Sequence, residues 1–528
     1  MRRPILLLLA LLVGCGGASR LTEIPPVDED VDLEAREDAG AAAVLEVPRE
    51  DLALAELVEL PSASSMIALR VSFDAGSVED PPGREGLTSL SAKVMAEGGA
   101  GTRSASAIQE ALYPWAAELG AFTGRDATTF VGRVHRDHLE AFTALFLDVL
   151  LRPRFAEEDV ERLRARQESA LLLELRGNDD EELGKELLHQ LVFEGHPYAL
   201  TALGTKSGLD AITVAEVRAH AARVFCAGRM RVGVTGAVPE GYASRLIEAL
   251  EARDGETCVG RRILPEPTPR GRRVRLAHKP EASAVAMSLG LATEVTRDHP
   301  DYPALMLAMA YLGQHRTFAG SLMQKIRGQR GLNYGDYAYA EHFVQDGWTR
   351  FPAPGYPRRQ QTVSLWVRPV DANEAHFALR LAVHELERVV RDGLTVEEFD
   401  RIRTFASRYY ALFLQTGARR LGFALDDRAY DTADPYLELL RRGWDELDAD
   451  AVNAALRRHV DPSQLQIALI APDGAALAAA LVEGAPSPIT YRAEPGEDVR
   501  AEDERVNVFD LGLEAEDVVV VPADQLFE

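Results

Sequence analysis

Residues Ser321 to Tyr337, SLMQKIRGQRGLNYGDY, gather Lys325, Arg327 and Arg330 beside two glycines and follow them with Tyr334 and Tyr337. An arginine keeps its charge at any physiological pH and presents several N–H donors in one fixed plane. A phenol, with a pKa of about 10, also remains a donor at neutral pH. The stretch is therefore a cluster of positively charged and neutral hydrogen-bond donors in a chain whose formal net charge is -25. Taken alone, such a cluster is more often a helix-end cation and a core aromatic than a site. Its meaning depends on the elements around it.

The chain has 528 residues, 46% hydrophobic and 27% charged. That is enough for a sizeable core and too long for one ordinary domain. The net negative charge repels nucleic acid and anionic surfaces, so a nucleic-acid partner is not expected.

The first residues, MRRPILLLLALLVGC, carry two arginines, an apolar run from Pro4 to Val13, and Cys15. The run is too short to span a bilayer and suits a signal peptide over residues 1–15. Leu12-Val13-Gly14-Cys15 resembles the bacterial lipobox, which implies cleavage before Cys15 and its lipidation. Acyl chains hold a soluble body at a membrane. Gly16, not Asp, follows the cysteine, so the expected address is the outer membrane of a Gram-negative cell, facing the periplasm. Residues 16–50 are acidic, rich in Pro and Ala, and without aromatics, and are expected to form a flexible tether. The remaining cysteines, Cys226 and Cys258, either pair in an oxidising compartment or stand as two buried thiols.

Past residue 50 one order of elements occurs twice. MIALRVSFDAG (66–76) and SAVAMSLGLAT (283–293) alternate as strands. Helical patterns follow at 138–151 and 374–390, then long helices at 155–175 and 394–414 that both open with acidic residues, as the helix dipole favours. Helix and strand then close each half, at 213–225 with 230–238, and at 447–460 with 465–474. The reading is α+β: two tandem halves, 51–258 and 274–484, each a mostly antiparallel sheet with helices packed on one face, together forming a clamshell. Residues 259–273, VGRRILPEPTPRGRR, read as an exposed linker. A tail, 485–528, has strand-like runs at Val506–Leu511 and Val518–Val521 and is expected to pack back on the body.

Several stretches in this order, GLTSLSAKVMAEGGAGTRSA (86–105), LGAFTGRDATTF (119–130), LVFEGHPY (191–198) and IRGQRGLNYG (326–335), resemble the M16 metallopeptidases, the insulinase, pitrilysin and mitochondrial-processing group. The resemblance covers about residues 50–480. It implies a zinc site of the form His-x-x-Glu-His on the helix after Gly86, where two imidazoles hold the metal and the Glu acts as base. The matching positions are Ser89, Ala92 and Lys93: a poor ligand, a methyl group and an ammonium. Neither that motif nor His-Glu-x-x-His occurs elsewhere among the 12 histidines, and His384 with Glu385 has no second His nearby. Glu174 lies near the family's third ligand, but one carboxylate does not make a zinc site. No metal is expected in this chain.

The resemblance also gives the opening cluster a role. Active members carry an Arg and a Tyr seven residues apart that donate to the substrate backbone and to the oxyanion of the tetrahedral intermediate. Arg327 and Tyr334 have that spacing, while Lys325 and Arg330 read as surface charges. Gly120, Phe122 and Gly124 match the sheet edge to which family members add substrate as a strand. They fit a plain glycine-rich strand equally well. The expectation is a lipid-anchored homologue, inactive alone, that supplies Arg327 and Tyr334 to a catalytic M16 partner holding the zinc, in peptide hydrolysis. The alternative is a non-enzymatic scaffold or peptide-binding lipoprotein of the cell envelope.

Overall fold

The computed structural model describes residues 48–251, 257–491 and 494–528. The signal segment with Cys15, and all of the expected tether except its last three residues, lie outside them. Arg49 and Glu50 are tied to the body: Arg49 donates to Glu79 at 2.8 Å, and Glu50 accepts from Arg261.

The first half builds a five-stranded sheet from β1 (Glu56–Pro61), β2 (Met66–Phe73), β3 (Glu118–Thr123), β4 (Thr128–His135) and β5 (Met230–Gly236). The second builds six strands: β6 (Arg273–His278), β7 (Val285–Thr293), β8 (Asp336–Tyr339), β9 (Gln361–Val370), β10 (Gln466–Ala471) and β11 (Val518–Pro522). The strand orders are β1-β5-β2-β4-β3 and β11-β6-β10-β7-β9-β8. Without β11, the two orders are the same. In each half the first and last strands pair parallel and the other pairs are antiparallel. The duplication inferred from sequence is thus a duplication of topology. β3 and β8, each paired on one side only, end their sheets in equivalent positions.

Each half lays its own helices on one face of its sheet. The first uses Leu87–Glu97, Leu139–Leu151 and Val214–Val224, whose Leu90, Phe142, Phe146 and Val217 share one core with Ile67, Leu69, Val71 and Phe73 of β2. The other face of each sheet is covered by a helix of the opposite half. Helix Asp180–Val192 of the first half packs on β7 and β10, with Leu187 and Leu188 against Ala286, Ala468 and Ile470. Helix Gly417–Ala429 of the second half packs on β5, β1 and β2. A Cβ at Gly233 would come within 2.8 Å of Leu425, so the approach of that helix requires glycine there. The halves are therefore closed on each other by exchanged helices. This is why β2 and β7 are buried on both faces, although their sequences alternate.

The tail differs from its reading in one element. Val506 ends a helix, Glu497–Val506, and does not begin a strand. Val518–Pro522 is the strand β11, pairing parallel with β6. Beyond it, Phe527 carries the chain end to the first half, where its carbonyl accepts from the Lys206 amide. The linker is pinned as well: the carbonyl of Pro265 accepts from Gln360 at 2.7 Å, and Arg273 opens β6. Cys226 and Cys258 are joined by a disulfide. Among the described residues no helix is long and apolar enough to cross a membrane.

Candidate functional site

Helix Leu87–Glu97 starts at Gly86, whose φ of 98° is left-handed and where a Cβ would come within 2.7 Å of the Leu203 carbonyl. The Asp80 carboxylate caps the first turn, accepting from the amides of Gly86 and Thr88 at 2.7 Å each. Buried Gln167 donates at 3.0 Å to the carbonyls of both Gly86 and Leu203. The helix that should bear a metal is thus firmly set, and its face is closed. Ser89 and Ala92 are buried. Lys93 is half-buried, and burial lowers its ammonium pKa despite the opposing fields of Glu97 and Glu174. Glu174 is exposed on a π-helical turn, Ala170–Asn178, that continues helix Glu157–Ser169. A hydroxyl, a methyl, an ammonium and one solvated carboxylate do not fit a zinc ion, which needs deprotonated N, S or O donors on converging positions.

The helix packs beside the edge strand β3. Gly120 on β3 faces open space where a side chain would stand. Phe122 and Gly124 are occupied differently. Phe122 stacks on Tyr356 of the second half, with ring centroids 4.9 Å apart. A Cβ at Gly124 would lie 3.1 Å from the same Tyr356 ring. The structure therefore separates these three positions: one is open along the edge, and two are engaged where the halves meet.

The opening cluster falls apart just as clearly. Met323–Gly328 is a π-helical turn, a form frequent at functional positions. Arg330 is not a surface charge. Its side chain is fully buried and bonds Glu502 and Asp503 of the tail helix at 2.8 Å each. Lys325 bonds Glu385 at 3.1 Å and also Glu502. Asn333 holds the following loop, donating to Asp336 at 2.7 Å and accepting from the Gly335 amide at 3.2 Å. Arg327 and Tyr334 are the exceptions. Arg327 forms no ion pair with any described residue. It donates to the main-chain carbonyl of Tyr334 at 3.0 Å and lies over the Phe318 ring at 4.9 Å. Tyr334 is 78% exposed and Phe318 65%. A free guanidinium, a free phenol and an aromatic face thus stand together just before the edge strand β8. The family resemblance singled out the pair, but not the tail helix that braces its base.

The site keeps exposed donors and an open sheet edge, but Ser89, Ala92 and Lys93 form no zinc-binding set. Residues 57–206 match Insulinase (Peptidase family M16), and residues 211–405 match the Peptidase M16 inactive domain. An uncharacterized zinc protease of Mycobacterium tuberculosis is 25% identical over 382 residues, 71% of this chain and 81% of its own. Cytochrome b-c1 complex subunit 1 of Caenorhabditis elegans is 24% identical over 391 residues, 69% of this chain and 74% of its own. Among solved structures, a peptidase M16 inactive domain from Pseudomonas fluorescens superimposes with a TM-score of 0.69 at 22% identity, covering 81% of this chain and 98% of the other. The periplasmic protease PqqL of Escherichia coli gives a TM-score of 0.62 at 14% identity, over 87% of this chain but only 50% of its own. The chain belongs to the M16 family, as a member without the zinc motif.

Proposed function

We propose that this protein is the non-zinc subunit of a two-chain M16 peptidase, held at the outer membrane by lipidated Cys15 and facing the periplasm. One observation carries the reading. Between Ser321 and Tyr337 the other charged side chains are bound within the chain, whereas Arg327 meets only the Tyr334 carbonyl and the Phe318 ring, and the Tyr334 side chain stands exposed. Donors placed on a braced turn and left unused suit an oxyanion supplied from outside the chain. The match to PqqL is compatible with the same reading: this chain covers 50% of that protease, an architecture with room for an enclosing second half. The partner supplies zinc, the activated water and the base. This chain supplies Arg327, Tyr334 and the β3 edge at Gly120 for a peptide strand.

The test is co-purification of the lipoprotein from solubilised membranes, followed by peptide hydrolysis by the recovered pair. A companion carrying His-x-x-Glu-His at near-equal amount is the expected result. Arg327→Ala should then lower kcat/KM by roughly 100-fold or more, the scale of a lost oxyanion donor. Stoichiometric zinc in the purified single chain, or full activity of the Arg327→Ala pair, would overturn the reading. The similarity to a cytochrome b-c1 subunit favours one alternative, an envelope scaffold, for which the substitution leaves every activity unchanged.

A further inference from the structure

We propose that the cavity between the two halves binds the carboxylate of a small amphipathic monoanion through Arg358. The cavity measures about 340 Å³ and lies where helix Asp180–Val192 of the first half faces β9 and the segment 342–345 of the second. It shares no residue with the Arg327–Tyr334 site, and the inference stands independently of the peptidase reading.

Three cations, Arg125, Lys185 and Arg358, line the cavity with two carboxylates, Glu182 and Glu186. Arg125 is matched by Glu186 at 2.7 Å and also donates to the Tyr198 carbonyl at 2.8 Å. Lys185 is matched by Glu182 at 2.5 Å and sits 3.5 Å above the Trp366 ring. Asp126, the remaining acid nearby, is taken by Arg359 at 2.8 Å. Arg358 is left over. It is 3% exposed and forms no ion pair with a described carboxylate, Glu186 and Asp126 acting on it only at longer range. Among the described residues its side chain makes one hydrogen bond, at 3.0 Å to Nε2 of His189, and it lies over the Tyr198 ring at 5.6 Å. Nδ1 of that ring donates to the Lys185 carbonyl at 2.9 Å, so His189 is neutral and accepts from Arg358. His342, 5.3 Å from His189, is held well below its usual pKa by burial and by Arg358, and supplies no countercharge. A buried guanidinium without an anion is costly. Its own pKa is pushed down to about 9 by burial and by Arg125.

One uncompensated charge calls for one negative charge, which favours a carboxylate over a phosphate dianion. A carboxylate also matches the planar donor fork. Trp366, Phe343 and Tyr356 give the cavity aromatic walls, and its volume, near the lower end of ligand pockets, suits a body the size of one amino-acid residue.

The full-length chain, titrated calorimetrically at low salt with acetate, benzoate and N-acetyl-phenylalanine, should bind at least the aromatic acids. N-acetyl-phenylalaninamide, the neutral isostere, should bind about 100-fold more weakly, the scale of losing a buried charge partner. Arg358→Gln should abolish binding of the acids, and Arg358→Lys should weaken it. Equal binding of acid and amide, binding of inorganic phosphate in preference to every carboxylate, or binding by none of the three acids would each overturn the proposal. These comparisons use the unmodified protein, so they decide the matter even where the Gln variant does not fold.

Discussion

Asp336 opens β8, two residues after Tyr334, and has no exposed surface. One carboxyl oxygen accepts from Asn333, and the other has no partner. Burial pushes its pKa up to about 8, against smaller downward pulls from the Asn333 bond and the Arg327 charge. In the unfolded chain an aspartate titrates near 3.9. Between those two values the native protein holds one proton more than the unfolded chain, so its stability falls as pH rises. The slope is about 1.4 kcal/mol per pH unit, or about 4 kcal/mol from pH 4 to pH 7. The loss ends above about pH 8, where both states are ionised. Asp336→Asn mimics the protonated side chain and has no such slope. In guanidinium unfolding followed by tryptophan fluorescence, the variant should match the parent near pH 4. It should gain on the parent by about 1.4 kcal/mol per unit to pH 7 and level off near pH 8. The difference between the two profiles removes every other titrating group common to both. Parallel profiles from pH 5 to pH 8 would show that Asp336 is ionised in the native protein. They would refute the account of a neutral carboxyl under the Arg327–Tyr334 turn.

Two other substitutions test how that turn and the first half are held. Arg330→Ala leaves Glu502 and Asp503 without their buried cation, so it should cost about 3 kcal/mol or more in unfolding free energy and free the tail helix to proteolysis; an unchanged midpoint and cleavage pattern would contradict the bracing role. Replacing Cys226 and Cys258 by Ser opens a loop closed over a separation of 32 residues, for an expected loss of about 3 to 4 kcal/mol, measured by unfolding with and without reductant.

The plan of the two halves was legible because it was written twice. Strands such as MIALRVSF and VAMSLGLAT, with the acidic starts of the long helices, repeat at matching intervals and constrain each other. The resemblance to M16 peptidases, through its seven-residue Arg–Tyr spacing, also singled out Arg327 and Tyr334. What was not legible depends on contacts distant in sequence. Arg330 and Arg327 look alike in IRGQRGLNYG, and only the tail helix, some 170 residues on, makes one a buried anchor and leaves the other free. The run at Val506–Leu511 reads as a strand by composition, yet Val506 packs into the core of the second half at the end of a helix. Arg358 lies in a Gly- and Pro-rich segment that reads as loop, and its isolation appears only when His189 of the other half is beside it.

The two edges of the molecule have fared differently, and the difference bears on function. On the first-half side the positions that would hold zinc are filled by Ser89 and Ala92, both buried, and by Lys93; the helix has become part of the core. On the second-half side the fold keeps a turn with no evident use of its own. Tyr334 contributes little by standing 78% exposed. Arg327 gives up any ion pair, and Asp336 beneath them adds a burial cost at neutral pH. A plain scaffold gains nothing from that arrangement, since a smaller polar residue at 334 and an amide at 336 would make the same loop more stable. On the proposed function the turn would meet a partner's chemistry, which gives the Arg327→Ala experiment its weight. If the substitution is silent in the assembled pair, the exposed turn serves no reaction, and the peptidase reading fails where it is most specific.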